Sequence, residues 1–357
     1  MFWGTSLIFE KIIPIKVLPK VAIVILNWNG RNYLQQFLPS VLRSTYTNKE
    51  VIVADNASTD DSVTWMQQNF PDVKIISLKE NHGFAKGYNE ALALVQSDYY
   101  VLLNSDVEVD AGWIEPVIEL MAADHTIGAA QPKILSYTNK DIFEYAGAAG
   151  GWMDYLGYPF ARGRLFESCE KDKGQYDNNA AVFWASGAAL FVKAELFHQL
   201  KGFDNYFFAH MEEIDFCWRL QLAGYNVYAC PKSKVYHVGA GTLQRESPKK
   251  TFLNFRNNMI MLAKNLPFAQ AAWKIPLRIF LDAVSGFKFL FSNGAIYFFE
   301  VLKAHLAFTY WLLFRKSESN FPHHKSRPLN GWWKQSIVWQ HFIRGKKTFT
   351  EIVKNKN

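Results

Sequence analysis

The stretch YYVLLNSDVEVD, residues 99–110, decides how this chain is read. It opens as a buried strand, aromatic and aliphatic throughout. It then ends abruptly in Asn104, Ser105 and Asp106, with Glu108 and Asp110 close behind. Two explanations compete for that acidity. Strand ends are exposed and tolerate acids, and an acidic turn is a common way to cap a helix such as the one that follows from about Trp113. Alternatively, the acids hold a cation so that it can meet something negatively charged.

Three more strands of the same kind precede this one, each followed by a helical pattern. VAIVILN (21–27) leads to a helix over 31–43. EVIVADN (50–56) leads to a helix capped by Asp60 and Asp61. VKIISLK (73–79) leads into GFAKGYNEALALVQ. Strands that alternate with helices, each almost wholly apolar, predict a mainly parallel α/β sheet covered on both faces. Ligands of such sheets bind at the carboxyl ends of the strands. Asn27, Asp55, Asn81 and Asp106 all fall there, and four polar strand ends carry more weight than any one of them. The region 128–240 is strand-rich with helices between. Its segment HMEEIDFCWR places Glu212, Glu213 and Asp215 at the start of a helix ended by Gly224, and its last strand runs out to His237. Acids at a helix start are favoured by the dipole, which explains one or two of them but not three after the aromatic loop FDNYFFAH.

Charge divides the chain. Residues 241–357 hold 19 Lys+Arg and 5 Asp+Glu, a balance of +14; the remaining 20 and 27 give residues 1–240 a balance of −7. The acidic part cannot form a nucleic-acid groove, and the basic part lacks any recognised nucleic-acid module. Three scattered cysteines argue against a disulfide framework or a zinc cluster. The phosphate-binding loop, the HExxH, GxSxG and GxGxxG patterns are absent, which removes the main support for P-loop, zincin, serine-hydrolase and dehydrogenase readings.

Oxygen ligands such as those of Asn104-x-Asp106 suit Mg²⁺ or Mn²⁺ with positions left open for phosphates. One acid near a cation and another across a cleft match glycosyl transfer from a nucleotide diphosphate sugar. A cation neutralises the leaving diphosphate, and a carboxylate takes the proton of the acceptor alcohol.

The segments VAIVILNWNG, VIVADNASTDDS, NHGFAKGYNEAL, VLLNSDVEVDAGW, WASGAALFVKAELFHQLKGFDNYFFAHMEEIDFCWRLQLAGYNV and VYHVGAG, in this order over about 21–242, resemble glycosyltransferase family 2 in its rhamnosyltransferase-like branch. The resemblance implies a GT-A fold and an inverting mechanism. It assigns Asn27, Asp55, Asn81, Gly83, Asn104 and Asp106 to the nucleotide sugar, Asp106 and His237 to the metal, and Ser186 and Gly187 to the sugar and acceptor. It makes Glu213 the catalytic base, a Glu where the family usually has Asp, with Glu212 as the alternative and Asp215 beside them. No QxxRW element occurs, which favours a single addition over polymer synthesis. Two other readings use the same sheet: a nucleotide-sugar binder without catalysis, and a nucleotidyltransferase. The donor expectation is dTDP-rhamnose or a UDP-sugar, the acceptor a glycan or lipid-linked saccharide in cell-surface polysaccharide synthesis. Self-association is left open.

The expected organisation is an N-terminal extension (1–20) with no signal-peptide features and a catalytic domain (21–242). Within that domain the donor half is about 21–127 and the acceptor half about 128–242. A basic, aromatic-rich helical region (243–357) follows. In that last region, residues 276–314 are apolar but carry Arg278, Asp282, Lys288, Glu300 and Lys303, and the longest uncharged run, 289–299, is too short to cross a bilayer. A pair of amphipathic helices lying on an anionic membrane, with basic residues and Trp332, Trp333 and Trp339 at the headgroup level, is the expectation. It places the protein on the cytoplasmic face, and a chain ending near Asn254 is expected to leave the membrane. A helical cap or a dimer interface is the alternative use of such helices.

Overall fold

The structure, a computed structural model, describes residues 18–239, 247–314 and 328–353. The N-terminal extension up to Val17 and the tail cations Arg315, Lys316, Lys325 and Arg327 lie outside the described residues. The strands are β1 (Val21–Asn27), β2 (Lys49–Asp55), β3 (Lys74–Ser77), β4 (Tyr99–Asn104), β5 (Val107–Val109), β6 (Ile127–Ser136), β7 (Gly151–Asp154), β8 (Pro159–Ala161), β9 (Arg164–Leu165), β10 (Ser168–Cys169), β11 (Ala180–Val182), β12 (Ala189–Lys193), β13 (Asn226–His237) and β14 (Trp332–Trp333). The helices are α1 (Arg31–Leu42), α2 (Ser62–Asn69), α3 (Gly83–Leu92), α4 (Glu115–Ala123), α5 (Ala194–Gln199), α6 (Glu212–Leu222), α7 (Pro248–Asn265), α8 (Phe268–Ser292), α9 (Ala295–Phe314) and α10 (Phe349–Ile352).

The central sheet runs β11-β13-β6-β12-β4-β1-β2-β3, with β5 paired to β13. From β4 to β3 every pairing is parallel, as the four β-then-α units predict; beyond β4 the antiparallel β12 makes the sheet mixed. Alternation along β1 explains the continuous apolar run: Val21, Ile23 and Ile25 pack into the layer containing Leu34, Trp113 and Ile118, whereas Ala22 and Val24 pack into the layer containing Tyr88, Leu92 and Phe197. A strand covered on both sides has no face on which polar residues are tolerated.

A second sheet, β10-β9-β8-β7-β14, was not legible in the sequence. Its last member comes from the tail, where Trp332 and Trp333 pair in parallel with Met153 and Asp154. This corrects the expected membrane role of these two tryptophans. Trp332 packs against Phe183 and Trp218, and Trp333 against Phe160, so both rings are taken up by protein. Trp339 remains outward. Trp332 and Trp333 are therefore stitched onto the sheet at Met153 and Asp154.

The helices α8 and α9 form the expected pair, joined at Asn293 and Gly294. The polarity of α8 is inverted, whereas α9 buries the apolar Val301, Ala304, Phe308 and Trp311. The buried residues of α8 are Lys274, Arg278, Asp282 and Gly286, spaced by four along one face. Phe280, Val284, Phe287 and Phe291 on the same helix are exposed, as are Phe299, Leu306, Tyr310 and Leu313 on α9. Among the described residues no helix is long and apolar enough to cross a membrane.

Candidate active site

Register aligns the strand ends. Asn27 lies opposite Asp55, Asp55 opposite Ser77, and Leu26 opposite Asn104. Their side chains then join one network. Asn27, fully buried, donates from Nδ2 to Asp55 Oδ1 and Ser58 Oγ, both at 3.2 Å, and Asp55 Oδ2 accepts from the Ser58 amide at 3.0 Å. Asn56, which the sequence reading passed over, links the next loop: its Nδ2 donates to Asn81 Oδ1 and the Gly83 carbonyl at 3.0 Å each, and its Oδ1 accepts from the His82 amide. Asn81 Oδ1 also accepts from the Gly83 amide at 2.9 Å. Gly83 has φ +71°, and a Cβ there would stand 2.6 Å from the Phe208 carbonyl oxygen, so the glycine permits a close approach.

Past β4 the chain turns at Ser105 and Asp106 into β5, which pairs with the end of β13 so that Val107 faces His237. That pairing sets Asp106 Oδ1 3.2 Å from His237 Nε2. On the other side His237 Nδ1 stands 3.1 Å from Glu144 Oε2. All three residues are buried. Burial alone would lower the imidazole pKa, but the two carboxylates hold it well above its usual value. As a donor set, two carboxylates and an imidazole suit Mn²⁺ or Mg²⁺ chemistry. Their present arrangement places the imidazole between the acids, and among the described residues no group of three converges as a finished metal cage. The residues fit the ion once His237 gives up its proton.

The second acidic group stands across the cleft. Glu212 and Glu213 open α6 after a strained approach, in which Phe208, His210 and Met211 take φ of 64°, 71° and 75°. The loop is held from two sides. Phe84 and Ala85 amides donate to the Phe208 carbonyl, and Asn257 of α7 donates from Nδ2 to the carbonyls of Phe207, Ala209 and His210 at 2.8–3.0 Å. Arg256 adds bonds to the Tyr206 and Phe207 carbonyls. Oε2 of Glu212 and of Glu213 are buried without a hydrogen-bond partner. Desolvation pushes Glu213 up to about 7. It pushes Glu212 well above the carboxylate range too, with the neighbouring Glu213 charge adding to the effect. Burial lowers His210 to about 4, leaving a neutral imidazole beside them. Buried, unpartnered and shifted groups of this kind cluster at working sites.

Asp215 has a different place from the one expected. Both its oxygens are engaged, Oδ2 by Arg219 Nε (2.8 Å) and Lys264 Nζ (3.2 Å) and Oδ1 by Asn265 (2.8 Å). These cations hold its pKa down in spite of complete burial. It anchors α7 to α6 and has no free oxygen for chemistry.

Residues 186–188 join the two halves. The Asn104 amide donates to the Ala188 carbonyl at 3.0 Å. Ser186 is held by Gln131, whose Oε1 accepts from its amide at 2.9 Å. A Cβ on Gly187 would meet Phe84 at 3.0 Å and the Glu213 Cβ at 3.9 Å. The strand-end acids and the helix-start acids therefore border one cleft.

Three comparisons with known proteins bear on this cleft. The sequence signature described as Glycosyl transferase family 2 matches residues 22–182. A relative from Mycobacterium tuberculosis, named N-acetylglucosaminyl-diphospho-decaprenol L-rhamnosyltransferase, is 26% identical over 280 residues, covering 73% of this chain and 88% of that protein. A Haloferax volcanii protein named low-salt glycan biosynthesis hexosyltransferase Agl10 is 23% identical, covering 76% and 83%. Among solved structures, that of GalNAc-T7 with UDP, GalNAc and Mn²⁺ superposes with a TM-score of 0.59 at 14% identity, over 86% of this chain and 59% of that one. Mannosyltransferase PcManGT from Pyrobaculum calidifontis superposes with a TM-score of 0.51 at 17% identity, over 83% and 88%. These structural likenesses show the GT-A fold.

Proposed function

This chain is a glycosyltransferase with a family 2 domain, and we propose that it moves one sugar, with inversion, from a nucleotide diphosphate sugar to a hydroxyl of a glycan or lipid-linked acceptor. The observation that carries this reading is the pair of buried, unpartnered glutamate oxygens at the start of α6, where Glu213 lies beside the same residues 186–188 that bind the end of β4. Asp55, positioned by Asn27, and Asn81 and Gly83 line the nucleoside end. Asp106 and His237 would hold Mg²⁺ or Mn²⁺, which supplies positive charge to the departing diphosphate when bound. Glu144 keeps the His237 ring oriented from behind.

In the transfer, the acceptor oxygen forms a bond to the anomeric carbon as the bond to the diphosphate breaks, and the acceptor proton passes to Glu213. Attack opposite the leaving group inverts the carbon. Glu213 suits the base role because a pKa near 7 leaves it ionised and still basic at neutral pH. Glu212, more deeply buried and repelled by Glu213, is biased toward its protonated form. Donor identity is narrowed by resemblance to dTDP-rhamnose or a UDP-sugar. The division into a donor half, about 21–127, and an acceptor half, about 128–242, follows the cleft. The outward apolar faces of α8 and α9 support seating on the cytoplasmic face of an anionic membrane, where a lipid-linked acceptor would be met.

Thermal shift with UDP, dTDP, GDP and their sugars, with and without Mn²⁺, tests the donor site, since a ligand that binds only the native state raises its melting temperature. A metal-dependent rise with one nucleotide series that disappears in Asp106→Ala is expected. No rise with any of them, or an unchanged rise in Asp106→Ala, overturns the reading.

A further inference from the structure

A cleft of about 510 Å³ opens between α7 and α9, lined by Phe208, Lys249, Phe252, Leu253, Arg256, Glu300 and Lys303. We propose that it seats the diphosphate of a prenyl-diphosphate-linked acceptor, with the lipid chain leaving along α9; this rests on the lipid-linked-acceptor reading above.

Three cations meet there against one acid. Lys249 Nζ lies 4.6 Å from the Phe208 ring, and Arg256 and Lys303 lie 5.1 and 5.0 Å from the Phe252 ring. Aromatic faces hold these charges in place without neutralising them. Among the described residues neither Lys249 nor Arg256 takes part in a salt bridge, whereas Lys303 shares Glu300 at 3.4 Å. The lining therefore keeps a net positive balance in a partly enclosed space, which favours a compact anion of more than one charge.

The cleft is also continuous with apolar surface. On α9, Phe299 precedes Lys303 by four residues and Leu306 follows it by three, so the three share one face, and both apolar residues are exposed. An anion held at Lys303 thus finds hydrocarbon-compatible surface directly beside it. A soluble sugar phosphate would have no use for that surface.

One lining residue, Phe208, belongs to the loop that leads into the proposed base. Phe208 stands five residues before Glu213, a span of at most roughly 17 Å even for extended chain, and the intervening backbone is coiled by its positive φ angles. A saccharide attached to a diphosphate in this cleft has its hydroxyls about one ring further on, in the direction of the base.

The test uses the full chain and farnesyl diphosphate, titrated calorimetrically in EDTA so that a metal-bound donor site is not engaged. Wild-type protein is expected to bind it, and Lys249→Glu combined with Lys303→Glu to weaken binding at least tenfold. Lys→Arg at both positions should retain it. Farnesol and inorganic diphosphate should each bind at least tenfold more weakly than farnesyl diphosphate. Vesicles of neutral phosphatidylcholine, to which net charge matters little, should bind both proteins within about threefold. Equal farnesyl diphosphate affinity in the Glu variant overturns the proposal. Inorganic diphosphate binding as tightly as the prenyl form would make this a free-anion site, and vesicle binding lost in step would make it a membrane-headgroup site; either result overturns it. Nucleotide binding with Mn²⁺ is measured on the same samples, so failure of the donor reading is seen separately from failure of the cleft.

Discussion

The sheet around β4 and the helix α8 are built from similar residues with opposite orientation. In β4, Tyr100, Leu102 and their neighbours are wholly inside, and the polar residues begin where the strand ends at Asn104. In α8, Lys274, Arg278 and Asp282 are inside while Phe280, Phe287 and Phe291 are outside, and only Lys288 of its charges is exposed with them. Arg278 stacks 3.5 Å from the Tyr158 ring centre, donates to the Leu156 carbonyl at 2.9 Å and pairs with Asp282; Asp282 in turn lies 3.4 Å from His305. Hydrophobic burial against water explains the sheet. It cannot explain α8 as a water-facing helix, because the apolar area left exposed is contiguous and the charges carry the cost of desolvation. The proposed seating of α8 on a lipid surface would account for that difference.

The largest expected effect comes from breaking the inner face of α8. Arg278→Ala leaves Asp282 buried with only the Tyr158 hydroxyl and His305 beside it, each at 3.4 Å, and loss of one partner of a buried ion pair costs about 3–5 kcal/mol. Denaturant unfolding would measure it; a loss under about 1 kcal/mol would mean that the inward charges are not structural. Next is Glu213→Gln, which keeps shape and removes basicity. Turnover should fall by roughly 10²-fold or more while donor affinity holds. If Glu212→Gln is the inactive variant and Glu213→Gln is active, the base is the neighbouring residue.

Phe280→Ser with Phe287→Ser removes two outward rings. Binding to anionic vesicles should drop by about tenfold or more, taking roughly 1 kcal/mol for each partly inserted ring, while the melting temperature stays level or rises. A fall in stability as large as that from Arg278→Ala would assign this face to protein packing. High salt should weaken vesicle binding only in part, because the apolar share is unscreened.

The smallest effect is the pH profile. As the proposed base, Glu213 would work ionised, and burial pushes its pKa up to about 7, so turnover should fall about tenfold from pH 8 to pH 6. The stability sign is opposite. A carboxyl whose folded pKa is raised holds a proton that the unfolded chain has released, so its contribution declines as pH rises from about 4.5 to about 7. Glu213→Gln should flatten both slopes, measured by rates and by melting temperature across that window.

The donor half was legible because parallel strands buried on both faces leave an unmistakable apolar run and a polar stop. The register then brings Asn27, Asp55 and Asn104 to one level, as four strand ends in one sheet must be. Glu144 was not legible. It sits in a loop without local pattern and meets His237 only because β6 and β13 run side by side through Ser136 and His237. Asn257 was hidden for the same reason, 44 residues beyond Glu213 along the chain. The spacing in α8 told which residues share a face, but periodicity carries no sign, so it could not tell which face turns inward. Asp215 matched a motif by position, and its partners Lys264 and Asn265 belong to a helix that no local pattern ties to it.

The three-carbonyl grip of Asn257 on residues 207–210 has a consequence for transplanting this enzyme's parts. A boundary drawn where the sheet ends, near residue 242, or at Asn254, would leave Arg256 and Asn257 behind and loosen the backbone of residues 206–210 that leads into α6 and Glu213. A chimera that exchanges donor specificity must therefore carry α7 through Asn265 with the catalytic sheet, and its seam belongs at Leu266 and Pro267, before α8 begins.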